Sequence, residues 1–233
     1  MKMLKKIRYR SIKILPLLVI IIFSSEVIIA QQKITFGVHA DPVISWFSSD
    51  IKEITNNGAR AGINFGLNFN RYFSPNYSFS SGISIINGGG SLTSSETTVM
   101  EFTNFSSSVA PGEQVIYKIQ YLAIPLGLKL QTNQIGYLTY FTDLGLDPKV
   151  VIGGKCDIPS LDIKGEKATN ELNSFNLSYH ITAGVEYSLG GTTALVFGLS
   201  FDNNFLDITT DNVNQLKDKI GHKLLSFRIG VNF

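Results

Sequence analysis

Residues 59 to 69 alternate without a break. Ala59, Ala61, Ile63, Phe65, Leu67 and Phe69 are apolar, whereas Arg60, Gly62, Asn64, Gly66 and Asn68 are small, polar or charged. Successive side chains of an extended chain point to opposite faces, so this order makes a β-strand with one greasy and one polar face. The same period runs through Phe175, Leu177, Tyr179, Ile181, Ala183, Val185 and Tyr187, and closes the chain as Leu225, Phe227, Ile229, Val231 and Phe233. No segment carries the apolar stripe of an amphipathic helix.

Weaker alternation fills the intervals and predicts eight strands, at about 33–46, 59–69, 76–87, 114–130, 135–150, 174–188, 192–206 and 222–233. Their connections alternate in length. Asn70 to Pro75, Gln131 to Gln134 and Leu189 to Gly191 are short, whereas 47–58, 88–113, 151–173 and 207–221 are long and polar, with Gly88-Gly89-Gly90-Ser91 the clearest loop composition. An even number of strands with tight turns at one end and long loops at the other is the pattern of an outer-membrane barrel. The expected fold is therefore all-β: a single eight-stranded antiparallel up-and-down transmembrane β-barrel with short periplasmic turns and long extracellular loops.

Alternation alone leaves open which face is inside, because a soluble or periplasmic barrel binding a small apolar ligand alternates as cleanly. Composition favours apolar-out. Only 16% of residues are charged, against roughly 25% in soluble domains, and the polar faces mix Gly, Ser, Asn and Thr with single charges. Aromatic residues collect at the strand ends: Phe69, Tyr72, Tyr77, Tyr137, Tyr187 and Phe233 toward the short turns, Trp46, Phe47, Tyr117 and Phe205 toward the long loops. They read as interfacial girdles, although aromatics favour strands in any case. The ligand-carrying soluble barrel stands as the alternative.

The chain carries 20 Lys and Arg against 18 Asp and Glu, a formal charge of +2. Six of those bases lie within residues 1–13, followed by the apolar run Ile14 to Phe23 and a small residue at Ala30. This is the form of a secretory signal peptide over residues 1–30, leaving 31–233 as the barrel domain. Without it, 20 less six leaves 14 basic residues, and 18 less Glu26 leaves 17 acidic ones, a net charge of about −3. A nucleic-acid partner is thereby excluded. The single cysteine, Cys156, excludes a disulfide framework and Cys-based metal centres, and no metal-ligand spacing or phosphate-cradling loop is present, so no cofactor is expected.

The segment Tyr121-Leu122-Ala123-Ile124-Pro125-Leu126-Gly127-Leu128-Lys129-Leu130 resembles the Tyr-Leu-x-Ile-Pro-Leu-x-Leu-Lys strand motif of the PorT-like outer-membrane β-barrels of Bacteroidetes-type bacteria. The similarity extends to the basic-apolar leader, the Phe36-Gly37-Val38 strand, the Gly-rich hairpins and the terminal Phe233. The resemblance implies a small barrel surrounded by outer-membrane lipid in a Gram-negative bacterium. It also implies insertion by an assembly machinery that reads a C-terminal aromatic such as Phe233. Most members have no assigned activity, and one branch is associated with protein secretion. Pro125 has no N–H to give a sheet ladder, which predicts a bulge or a local break there.

Eight strands enclose a space just wide enough for side chains to fill, so a packed polar interior without an open channel is expected. The inward phase holds His39, Asp41, Arg60, Lys129, Asp143, Asp147, His180, Glu186, Asp202 and Arg228. Buried charges must be paired, which predicts a structural salt-bridge network built on Asp41, Arg60, Lys129, Asp143, Glu186 and Arg228. Asp41 and Arg60, at similar heights on neighbouring strands, are its expected specific pair. A hydrolase would need Ser or Asp beside His, and His39 with Asp41 or His180 with Ser178 are the candidates. Their two-residue spacing follows from alternation itself, so a non-enzymatic protein is expected. Cys156 is read as a spectator in a long loop and His222 as solvated at a loop edge. Specific function is expected in the loops, with 88–113, carrying Phe102 and Phe105, and 151–173 as the partner-contacting elements.

Overall fold

The computed structural model describes residues 33–210 and 218–233; the expected leader at 1–30 lies outside them. The described chain is a succession of strands: β1 (Ile34–Ser49), β2 (Ile54–Ser74), β3 (Tyr77–Ser94), β4 (Thr98–Glu101), β5 (Ser106–Val109) and β6 (Gln114–Ala123). They continue as β7 (Leu126–Gln131), β8 (Leu138–Ile158), β9 (Ile163–Lys167), β10 (Phe175–Gly190), β11 (Thr193–Asn204) and β12 (Ile220–Asn232). Helical structure among the described residues is limited to two single 3-10 turns, Pro159–Leu161 and Thr169–Glu171.

The main sheet closes on itself. Its order is β10, β11, β12, β1, β2 and β3, then β6 and β7 end to end, then β8, which pairs back with β10 from Phe175↔Val150 to Tyr187↔Leu138. Counting β6 and β7 as one strand, eight antiparallel strands form the ring, as the alternation predicts. Closure pairs each strand of the ring on both sides and leaves it no open edge, the condition for spanning lipid with strands.

Pro125 lies in the gap between β6 and β7, where the sequence places a break. The register does not slip there. Ala123 faces Ser84 and Lys149, and Leu126 faces Ser81 and Leu146, three residues on along each strand. Only the ladder bond that proline cannot give is missing, and the Ile124 N–H still donates to the Pro148 carbonyl at 3.0 Å. At the short-turn end, β10 meets β11 through Gly190 and Gly191, whose positive φ of 107° and 61° favour glycine in a tight hairpin.

The lower wall turns its apolar face outward. Phe36, Leu67, Phe79, Ile83, Leu126, Phe197 and Leu199 are all more than half exposed or close to it. Their strand neighbours Thr35, His39, Asp41, Ser84, Asp147 and Thr182 are buried. This belt fits a hydrocarbon surround and decides the orientation that alternation leaves open. The girdle is smaller than expected. Tyr77, Tyr137, Tyr187, Phe205 and Phe233 stand exposed on the outer face, but Tyr72, Phe47 and Tyr117 are at most 6% exposed and point into the barrel.

The strands also run past the belt. β2 and β8 have 21 residues each, about twice the 9–11 that a tilted strand needs to cross a bilayer. In the excess, at the long-loop end, the polarity of the two faces inverts. Along β6, Val115, Tyr117, Ile119 and Tyr121 are buried inward, while Gln114, Lys118 and Gln120 face out. With Phe47, Met100, Ile158, Ile208, Ile220 and Leu224 they form an apolar core above the polar interior, covered by the β4–β5 hairpin and the 3-10 turns. A uniformly polar interior is therefore not what forms. Above the belt the outside is water, so the hydrophobic effect drives the apolar face inward.

This upper storey corrects three further expectations. Gly88-Gly89-Gly90-Ser91 belongs to β3 and not to a loop. Gly90 is there because a Cβ would stand 2.9 Å from the Phe47 ring. Cys156 is in β8 and His222 in β12, and both are fully buried instead of solvent-facing.

Candidate functional site: the polar interior

The inward positions of the lower barrel bring the titratable residues together in three clusters around one cavity. In the first, His39 Nδ1 lies 2.9 Å from Asp41 Oδ2, and Ser84 Oγ lies 3.3 Å from His39 Nε2. Asp41 also receives the Ile229 N–H at 3.0 Å and the Asn64 amide at 3.4 Å. Arg228 Nε sits 3.0 Å from Asp41 Oδ2, an ion pair without hydrogen-bond alignment.

The second cluster centres on His180. Its Nδ1 is 2.8 Å from Asp147 Oδ1 and its Nε2 is 3.7 Å from Asp143 Oδ1, so the ring lies between two carboxylates. Ser80 donates to Asp143 at 2.8 Å. Ser178 donates to Asp202 at 2.9 Å, and Lys149 Nζ meets the same carboxylate oxygen at 2.6 Å. In the third cluster Lys129 pairs with Glu186 and lies 4.6 Å from the centre of the Phe141 ring. Asn232 bridges onward, donating to Glu186 at 2.7 Å and accepting from Asn68 at 2.8 Å.

Of the six residues named from sequence for this network, Asp41, Lys129, Asp143, Glu186 and Arg228 lie inside it. Arg60 does not, and the Asp41–Arg60 pair does not form. Asp41 is opposite Asn64, whereas Arg60 is opposite Ser45, four residues higher. A bulge between Ala59 and Ile63 then shifts the β2 face. The Arg60 side chain runs over Gly89, with its Cδ 3.2 Å from where a Cβ would be. A bulge inserts one residue and so reverses the facing of the residues beyond it, which strict alternation cannot show. Lys149 supplies the third cation instead. It was legible in the sequence as the next inward position after Asp143, Gly145 and Asp147.

Interior glycines make this density possible. A Cβ on Gly127 would lie 2.4 Å from Asp143 Oδ1, and one on Gly145 would lie 2.6 Å from His180 Cε1. The space left over is a cavity of about 90 Å³ lined by His39, Asp143, His180 and Arg228 among others. That is well short of the roughly 300–1,000 Å³ of a small-molecule pocket. The alternative of a barrel holding an apolar ligand therefore does not find the room: the cavity lined by Leu92, Met100, Val115 and Ile220 in the upper storey measures only about 80 Å³ as well.

Serine, histidine and aspartate do line up as Ser84, His39 and Asp41, but Ser84 is 5% exposed and Asp41 is committed to Arg228 and a backbone N–H. Ser178 is turned to Asp202 and Asp147, away from His180.

Residues 29–210 match the family model described as "Outer membrane protein beta-barrel domain". The chain belongs to this family. Its place is accordingly the outer membrane of a Gram-negative bacterium. No curated protein matches the sequence. Among solved structures, this member of the barrel family is similar to Neisserial surface protein A, with 12% identity over 84% of this chain and 95% of that one and a TM-score of 0.48. It is similar also to the outer membrane protein OprG from Pseudomonas aeruginosa, at 11% identity, 87% and 97% coverage and a TM-score of 0.45. The outer membrane protease OmpT from Escherichia coli aligns at 10% identity over 90% and 99%, with a TM-score of 0.45.

Proposed function

We propose that this barrel is a sealed, non-enzymatic scaffold that acts through the loop-end crown it holds above the membrane. One observation carries the reading: among the described residues the interior is filled by paired charges below and by an apolar core above, with cavities of only about 90 and 80 Å³. Residues so committed to one another are structural, which leaves the exposed crown to make contacts. Within segment 88–113, Phe102 packs into the core while Phe105, stacked on it at 4.7 Å, and Val99 are exposed at the hairpin surface. With 151–173, this segment is the proposed protein-contacting surface.

The PorT-like strand motif around Pro125 supports a finer reading, a barrel accessory to protein secretion. Phe233, with its ring half exposed and its backbone bonded to Phe36, is proposed as the contact for the assembly machinery. Two measurements test the proposal. The refolded chain in a planar bilayer is expected to give no steady conductance, and a large persistent open level would overturn the sealed interior. A strain expressing the chain without residues 98–109 is expected to insert a heat-modifiable barrel but to reproduce the secretion defect of a full deletion. Normal secretion in both strains would overturn the accessory role.

A further inference from the structure

The outer wall carries a row of cations just above the lipid belt. In the β6–β8 pairing Lys118 is directly opposite Lys155, and in the β8–β9 pairing Lys155 is directly opposite Lys167. On the other side Lys118 faces Gly89, over which the Arg60 side chain lies. Four cations thus cross five adjacent strands at one height. Like charges directly opposite in a sheet repel, so such a ladder is unfavourable by itself.

Among the described residues, the one carboxylate within ion-pair distance of the row is already used. Asp157 pairs with Lys118 and accepts the Gly165 N–H at 2.7 Å. Among the described residues, Arg60, Lys155 and Lys167 have no carboxylate within ion-pair distance. The four cations surround a groove of about 540 Å³ floored by Gly62, Gly88, Gly153 and Gly154. Its lower wall is Ile63 and Ile152, exposed residues of the lipid belt. Ile152 is three residues below Lys155, about 10 Å along the strand. The groove therefore offers positive charge at its upper end and hydrocarbon at its lower end.

We propose that Arg60, Lys118, Lys155 and Lys167 form a binding site for the phosphorylated headgroup of a membrane lipid, whose acyl chains continue down over Ile63 and Ile152. A phosphate placed between the rungs would replace lysine–lysine repulsion with charge-assisted hydrogen bonds. The apolar lower wall favours a lipid over a free phosphate, because only a lipid fills both ends.

Native mass spectrometry of the full chain in a non-ionic detergent tests this with dioleoyl phosphatidic acid, dioleoyl phosphatidylcholine and inorganic phosphate. One phosphatidic acid is expected to remain bound, with phosphatidylcholine weaker by about tenfold or more. Lys118→Gln/Lys155→Gln/Lys167→Gln is expected to lose that preference, while Lys52→Gln/Lys219→Gln, at exposed positions of other loops, keeps it. If the triple variant does not fold, Lys155→Gln alone removes the rung that faces a lysine on both sides and is expected to weaken binding about tenfold. Equal retention of the two lipids, or unchanged binding by the lysine variants, overturns the site. Displacement of the lipid by an equal concentration of inorganic phosphate would show an anion site without the lipid and also overturns it.

Discussion

Lys149 and Asp202 meet across the barrel interior, Nζ to Oδ2 at 2.6 Å, the lysine on β8 and the aspartate on β11 with β10 between them. The lysine is 1% exposed and the same carboxylate oxygen receives the Ser178 hydroxyl. Removing one partner of a buried pair leaves an uncompensated charge, whereas removing both does not. Lys149→Met is expected to cost about 3–5 kcal/mol. Lys149→Met/Asp202→Leu should cost clearly less than the sum of the single changes. Urea unfolding in lipid vesicles measures it, and additive costs would refute the coupling.

Arg228 and Arg60 separate in the same kind of experiment. Only Arg228 reaches Asp41. A double-mutant cycle between Asp41→Asn and Arg228→Ala should show a coupling of about 0.5–3 kcal/mol. The cycle with Arg60→Ala should be additive, and Arg60→Ala alone should stay within about 0.5 kcal/mol of the parent. A coupled Arg60 would mean that the bulge at Ala59–Ile63 does not turn it outward.

Cys156 is fully buried in the core above the belt, and burial, reinforced by the charges of Asp157 and Glu171 and only partly offset by Lys118, pushes its thiol up to about 12. The thiolate is the reactive form, so the folded protein should resist maleimide labelling at pH 8 and react once unfolded in urea. Because the folded-state value lies above the ordinary one of 9.0, the folded state holds the proton longer. The thiol's contribution to stability is full below about pH 9 and is lost as pH rises toward 12. Rapid labelling of the folded chain would contradict the burial.

Gly145→Ala tests how tightly the interior is filled. The new Cβ would stand 2.4 Å from the Leu126 carbonyl and 2.7 Å from Gly127 Cα, backbone atoms that cannot turn away. A loss of about 1–3 kcal/mol is expected from such overpacking. It would be read as a lower temperature for the loss of heat-modifiable mobility, and an unchanged temperature would show that the wall is not closely packed there.

Much of the architecture was legible one residue at a time. The odd and even residues of 59–69 and 175–187 announce strands with two unlike faces, and the spacing of turns announces eight of them. Pro125 marks the gap between β6 and β7. Asp41, Lys129, Asp143, Glu186 and Arg228 fall inside because each keeps the polar phase of its own strand. Lys149 was available by the same rule, two positions past Asp147.

What alternation could not supply is anything that changes along or across strands. The bulge at Ala59–Ile63 moves Arg60 from the network to the outer wall, and a period of two carries no mark of an inserted residue. Beyond the belt, Phe47, Tyr117 and His222 turn inward because the surroundings change from lipid to water, and a strand's sequence does not state where the membrane ends. The lysine row exists only through register, which brings Lys118, Lys155 and Lys167 side by side from distant parts of the chain. The sequence by itself determined a closed barrel with a greasy belt and a charged interior, since those arise from local periodicity. Which charges pair, where the apolar core begins and where cations gather were decided by the tertiary structure, because pairing energy depends on neighbours that only closure of the sheet brings together.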